Sequence, residues 1–103
     1  MNRYITRGIA NNLPITLQHQ LWELVSEREQ KQSKGKESLD YFHIFQLNMH
    51  NNQLYIKHKQ ERPEYVKTHK ANYSKATNMN KVYIIREDDV DLSYYVMLLP
   101  EEY

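Results

Sequence analysis

The chain has 103 residues, no cysteine and a formal net charge of +1. A cysteine-free sequence excludes a disulfide framework, and a charge this close to neutral excludes the self-repulsion that keeps disordered chains open. No apolar run approaches the ~18 residues of a membrane span or the length of a signal-peptide core. Leu, Ile, Val and Phe supply 24 residues, and nine tyrosines add further apolar area. We therefore expect one folded domain over residues 1–103, in the cytoplasm.

The opening segment, residues 3–9, is rich in β-forming side chains. This composition predicts a short strand that ends near Gly8. Asn11 and Asn12 then predict a turn. Pro14 follows at a position where the first turn of a helix tolerates proline.

Residues 14–32 have the period of an amphipathic helix. Gly35 suits the left-handed conformation that ends many helices. Trp22 lies about 100° round the helix from its apolar stripe, so we expect its ring at the edge of the core. The stripe itself comprises Leu17, Leu21, Leu24 and Val25.

A strict alternation follows over residues 41–58 and predicts a β-hairpin. Asn51 and Asn52 interrupt it, and asparagine tolerates the positive φ of a two-residue turn. The residues that share the apolar parity are Tyr41, His43, Phe45, Leu47, Met49, Leu54, Ile56 and His58. A two-residue turn predicts the pairs His50–Gln53, Met49–Leu54, Leu47–Ile56 and Phe45–His58. This register puts every apolar residue of the set on one face, beneath the helix.

The last third predicts strands separated by polar segments. Pro63 and residues 71–78 indicate loops, with a short strand over 65–69 between them. Residues 81–86 form a good strand, and an acidic turn follows at 87–92. Residues 94–99 are apolar on both parities, which is typical of a strand inside a sheet. The predicted fold is α+β: one long N-terminal helix on one face of a four- to five-stranded, mainly antiparallel sheet, in the order β-α-β-β-β-β.

Few residues have the chemistry of a catalytic or cofactor site. With glycine only at positions 8 and 35, no phosphate-binding loop can be built. No serine has the context of a nucleophile, and the acidic run at 87–91 lacks the spacing of a calcium loop. His43 and His58 are predicted diagonal neighbours, but no third metal ligand accompanies them. We therefore expect hydrogen-bonded histidines at the core margin, no metal, no cofactor and no enzymatic activity.

Charge is divided along the chain. Residues 57–81 hold seven Lys or Arg and two Glu, a net charge of +5, whereas residues 82–103 hold one Arg and six Asp or Glu, a net charge of −5. The basic segment could bind single-stranded nucleic acid, although a pI of 7.9 is low for that class. We favour the explanation that its alternate lysines protect an edge strand. A third explanation is that the segment faces an oppositely charged segment or partner. The candidate contact residues are Lys57, Lys59, Arg62, Tyr65, Lys67, Lys70, Tyr73 and Lys75.

Three segments carry a resemblance to a known family. They are Arg-Tyr-Ile-Thr-Arg-Gly-Ile-Ala-Asn-Asn-Leu-Pro at 3–14, Gln-Leu-Trp at 20–22 and Met-Leu-Leu-Pro-Glu-Glu-Tyr at 97–103. The chain resembles small staphylococcal and other Firmicute proteins that are grouped as a domain of unknown function. The resemblance implies a setting, because similar proteins occur in chromosomes, phages and methicillin-resistance cassettes, where small proteins often bind host machinery. It supplies no catalytic or ligand residues.

These observations favour a non-enzymatic accessory protein that binds a host protein for a mobile element or phage. The alternative is a single-stranded nucleic-acid binder that uses residues 57–81. A homodimer could also form if the free edge of the first hairpin pairs with a second chain.

Overall fold

Six strands form a single sheet in the computed structural model, which describes residues 2–32, 41–62 and 64–103. The α+β class is confirmed, but the sheet has six strands and there are two helices. In chain order the elements are β1 (Asn2–Ile5), α1 (Arg7–Asn12), α2 (Ile15–Gln32), β2 (Phe42–His50), β3 (Gln53–Gln60), β4 (Tyr65–Lys70), β5 (Lys81–Asp88), β6 (Ser93–Leu98) and a 3-10 turn at Pro100–Glu102.

The strand order is β1-β6-β5-β2-β3-β4. All neighbours are antiparallel except β1 and β6, which are parallel. The interior position predicted for the last strand is confirmed. The free edge predicted for the first hairpin is wrong, because β5 pairs with β2 on one side and β4 pairs with β3 on the other. The edges of the sheet are β1 and β4.

The β2–β3 hairpin has the predicted register at all four predicted pairs. Asn51 and Asn52 adopt φ values of 49° and 65°, as a two-residue type I′ turn requires. The prediction of burial is wrong for two side chains of the set, because Tyr41, just before β2, is 48% exposed and Met49 is 43% exposed. Of the two, Met49 is the exception within the hairpin itself. Met49 has the correct parity but lies beside the turn, where the burial of alternate residues has ended.

Helix α2 begins one residue after Pro14 and covers one face of the sheet. Its predicted stripe, with Trp22, is buried in one cluster with Phe45, Ile56 and Ile84 of the strands. The predicted cap at Gly35 lies outside the described residues. In the described ranges no helix is long and apolar enough to cross a membrane.

The strand predicted for residues 3–9 is wrong beyond Ile5, because α1 begins at Arg7. The hydroxyl of Thr6 caps this helix by accepting from the Ile9 N–H at 3.3 Å, and it donates to Glu102 Oε1 at 2.6 Å. Asn12, predicted in a turn, lies in the last turn of α1 and its side chain donates to the Gly8 carbonyl.

The Glu102 carboxylate joins the two ends of the fold. Besides the Thr6 hydroxyl, it accepts from the N–H groups of Gly8 at 3.1 Å and Leu99 at 2.8 Å. These hydrogen bonds, the one from Thr6 foremost, lower the pKa of Glu102. A Cβ added at Gly8 would lie 2.7–2.8 Å from the carboxylate atoms. A side chain at position 8 would therefore displace the Glu102 carboxylate from these hydrogen bonds.

The effect of Gly8→Ala on the free energy of unfolding should have opposite signs with glutamate and with alanine at position 102. In the wild-type background the added methyl group displaces the carboxylate, so we expect the free energy of unfolding to fall by about 1 kcal/mol. In a Glu102→Ala background the same substitution should raise it by about 0.5–1 kcal/mol, because alanine is the better helix former. Chemical denaturation measures both values. Ala10→Gly calibrates helix propensity within α1, and an effect of equal sign in both backgrounds would contradict the contact.

The turn of the β2–β3 hairpin offers a second test. Asn52→Gly should raise the free energy of unfolding by a few tenths of a kcal/mol, because glycine adopts positive φ without a steric penalty. Asn52→Ala should lower it by about 1 kcal/mol for the opposite reason. Urea titrations monitored by circular dichroism distinguish the two variants. Asn78→Ala in the 71–80 loop is the control, and its free energy of unfolding should change little.

Candidate functional site

The register assigns every strand residue to one of two faces. One face is covered by α2 and contains the buried residues His43, Phe45, Leu47, Leu54, Ile56, His58, Val82, Ile84, Tyr95 and Met97. Neither α1 nor α2 lies on the opposite face, which we call the open face.

The centre of the open face is apolar. Phe42, Ile85 and Val96 are opposite one another on β2, β5 and β6. Ile44, Tyr83 and Leu98 form the next row of the same three strands. All six are half-buried except Leu98, which is buried. We call these two rows the apolar band.

Aromatic rings gather at one side of the apolar band. Phe42 and Tyr83 meet edge-on with ring centroids 4.9 Å apart. Tyr103 lies against both rings, at 5.5 Å from Phe42 and 6.1 Å from Tyr83. Beside them, a depression of about 280 Å³ is lined by Phe42, Ile44, Glu61, Arg62 and Tyr83.

The lysines of the open face lie next to the apolar band. Lys81 is opposite Gln46, which is in turn opposite Lys57. Lys59 lies opposite Ile44 of the apolar band, and Lys70 lies opposite Tyr55. We call Lys57, Lys59, Lys70 and Lys81 the basic quarter.

The structure divides the predicted contact residues. Lys57, Lys59 and Lys70 lie together on the open face. Tyr65 and Lys67 are opposite Gln60 and His58, so they lie on the helix-covered face. The remaining three lie outside the strands: Arg62 in the β3–β4 turn, and Tyr73 and Lys75 in the 71–80 loop.

The tyrosines of the predicted set are engaged elsewhere. The Arg28 guanidinium lies 3.9 Å from the centre of the Tyr65 ring, and Tyr73 is partly buried against the core. Sequence reasoning missed the apolar band. The available signal was that β2 alternates two sets of apolar residues, and Phe42 and Ile44 form the second set.

The two predicted histidine neighbours form a buried pair. His43 and His58 are 0% and 1% exposed, and His43 Nδ1 lies 2.9 Å from His58 Nε2. His43 Nε2 lies 3.7 Å from Glu29 Oε1 on α2. The hydroxyl of Tyr95 donates to the other oxygen of Glu29. We call Tyr95, Glu29, His43 and His58 the buried polar chain.

Burial determines the charge states in this chain. It lowers the pKa of His58 to about 3, and the nearby charges of His43, His69 and Arg28 act in the same direction. Burial opposes ionisation of Glu29, but the contacts with His43 and Tyr95 outweigh it and lower the pKa of Glu29. Burial and the hydrogen bond to Glu29 raise the pKa of Tyr95. At neutral pH, His58 is therefore uncharged, whereas Glu29 in the same buried polar chain is ionised.

The buried polar chain has the geometry of a structural network, because its histidine rings have almost no access to solvent. Across residues 2–32, 41–62 and 64–103, no three or more side chains of His, Asp or Glu are grouped to hold a metal ion.

Stability should fall as the pH falls below about 6.5. The unfolded chain protonates His58 near its ordinary pKa of 6.5, whereas the folded protein resists until about 3, so the unfolded state binds more protons in this window. Protonation of Glu29 adds to the loss only below its ordinary pKa of 4.5. Between pH 6.5 and 5 we expect a slope of up to about 1.4 kcal/mol per pH unit from His58.

Denaturant titrations at pH 8, 7, 6 and 5 measure this slope. His58→Gln should flatten it, and His19→Gln on the exposed side of α2 is the matched control. Parallel curves for the wild type and His58→Gln would contradict the assignment.

Comparison with known proteins agrees with this fold. The structure resembles the crystal structure of a protein of unknown function from Enterococcus faecalis, with a TM-score of 0.77 and 22% identity over 99% of this chain and 90% of that one. No curated protein matches the chain. The DUF960 family, described as a staphylococcal protein of unknown function, matches residues 2–102. The chain therefore belongs to the DUF960 family.

Proposed function

We propose that the protein is a non-enzymatic accessory protein of the cytoplasm that binds a host protein through the open face of its sheet. The observation that carries this proposal is the apolar band. A sheet normally covers an apolar face with another layer, and in the described parts of the chain both helices lie on the other side.

The open face has the composition of a binding surface. Uncovered apolar patches that are rimmed by polar residues are typical of sites where proteins bind one another. The apolar band has such a rim, because Lys59 lies beside it on the neighbouring strand β3 and Lys81 lies two residues before Tyr83 on β5. It is also rigid, since it lies on three adjacent strands whose hydrogen-bonded register holds each side chain in place.

Single-stranded nucleic acid is the second candidate, and the basic quarter favours it. The arrangement of the aromatic rings makes nucleic acid the less favoured of the two candidates. Binding of unpaired bases relies on aromatic faces on which they can stack. Phe42, Tyr83 and Tyr103 contact one another edge-on, and Arg28 covers Tyr65.

The proposal is tested by capture of partners from a nuclease-treated staphylococcal lysate with three immobilised proteins. The Ile44→Thr/Ile85→Thr variant removes two apolar side chains from the open face while retaining β-branched residues that favour strands. Ile15→Thr/Val90→Thr removes two exposed apolar side chains from other surfaces and is the matched control. Wild type and control should retain the same protein, and the open-face variant should lose it.

Circular dichroism and thermal unfolding of all three proteins check that the variants are folded. Equal retention by the open-face variant would contradict the proposed surface. A partner that disappears on nuclease treatment would favour the nucleic-acid alternative instead.

A further inference from the structure

The basic quarter places four lysines on one face of adjacent strands. Lys57 and Lys59 are two residues apart on the same face of β3, a separation of about 7 Å between their Cα atoms. Lys81 and Lys57 are two strands apart, which is about 10 Å. Lys70 is opposite Tyr55 and therefore diagonal to Lys57, at about 7–8 Å.

Acidic side chains border this surface at one end, where Glu61 and Glu64 line a depression together with Lys59. The residues of β2, β3 and β4 that face the same way include no Asp or Glu. Within the described ranges, Lys57, Lys59 and Lys70 form no ion pair, and the Lys81 ammonium lies 5.9 Å from the centre of the Tyr83 ring. Around Lys57 and Lys81, the side chains of Gln46, Asn48 and Thr68 are neutral. Like charges held this close repel, and an anionic ligand relieves that repulsion.

Apolar side chains are interleaved with these lysines. Lys59 lies between Ile44 on β2 and Val66 on β4 in one cross-strand row. Val66 is 54% exposed, although it is β-branched and apolar. A ligand that neutralises Lys59 therefore lies against two aliphatic side chains as well.

We propose that the basic quarter and the adjacent apolar band bind an acidic segment of a partner protein in which carboxylates alternate with apolar side chains. This inference rests on the proposed function and names the chemistry of its partner. Aliphatic neighbours favour a peptide over a nucleic acid. The aromatic neighbours of the basic quarter are Tyr55, whose ring meets that of His50 at 6.5 Å, and Tyr83, whose ring meets that of Phe42 edge-on. Both rings already contact another ring, so they do not form a series of free rings for stacked bases.

Binding of three labelled probes to the full chain tests the inference by fluorescence anisotropy. The first is a twelve-residue peptide that alternates glutamate with leucine and valine. The second replaces each glutamate with glutamine, and the third is a fifteen-nucleotide oligothymidylate. We expect the acidic peptide to bind most tightly and to weaken as salt is raised, because exposed charges are screened.

Two charge-reversal variants locate the site. Lys57→Glu/Lys59→Glu alters the open face, and Lys67→Glu/Lys75→Glu makes the same change in net charge away from it. The first should weaken the acidic peptide by about tenfold or more, as expected for charge pairs within an interface, and the second by about twofold at most. Lys57→Gln/Lys59→Gln serves as a milder version if the first variant does not fold.

Several outcomes would overturn the inference. They are equal binding of the glutamine peptide, tighter lysine-dependent binding of the oligothymidylate, equal loss in both charge-reversal variants, and no binding of any probe. A lysine-dependent dimer in sedimentation velocity would also overturn it, because a second copy would then be the occupant.

The same variants separate this inference from the proposed function. A lysate partner that depends on Ile44 and Ile85 but not on Lys57 and Lys59 contradicts the acidic partner alone. Lysine-dependent binding of the acidic peptide without an open-face partner in the lysate contradicts the host-protein proposal alone.

Discussion

Docking of α2 along one face of the sheet is the contact on which the rest of the structure depends. A helix with its side chains is only about 10–12 Å wide, whereas six strands span about 24 Å. One helix therefore covers the central strands and reaches the outer ones through long polar side chains. On one flank Ser26 accepts a hydrogen bond from Arg3 of β1. On the other, Arg28 lies over Tyr65 of β4 and donates to Gln60 of β3. On the opposite face, the described residues supply no such layer, and this asymmetry creates the apolar band.

The buried polar chain lies beneath the helix where an aliphatic core would be expected. Apolar contacts alone tolerate small shifts of a helix along a sheet, whereas hydrogen bonds between buried polar groups require one arrangement. Glu29 binds Tyr95 of β6 and approaches His43 of β2, which binds His58 of β3. The buried polar chain therefore fixes the position of α2 relative to three strands, although removing its polar groups from water is unfavourable.

Local patterns were sufficient for some elements and insufficient for others. The apolar stripe of α2 and the alternation around Asn51 and Asn52 predicted the long helix and the hairpin register, because each pattern lies within one segment. Helix α1 was missed because Glu102 supports its first turn from the other end of the chain. Val66 is the only aliphatic residue of β4, so that strand depends on its pairing with β3.

The candidate contact residues form one run in sequence, and the register with β3 decides which of them share a face. The apolar band escaped notice because its β2 residues have the parity opposite to that of the core.

The parallel pairing of β1 with β6 has a consequence for how the molecule is made. Asn2 pairs with Tyr94, and Thr6 binds Glu102, so these contacts join positions more than ninety residues apart. During synthesis the β2–β3–β4 meander can form as soon as it leaves the ribosome, whereas β1 waits for β6. Contacts this distant in sequence slow folding and prolong the exposure of apolar surface. Strand β1 therefore stays unpaired until residues 93–98 have been made, and its pairing is one of the late steps of folding.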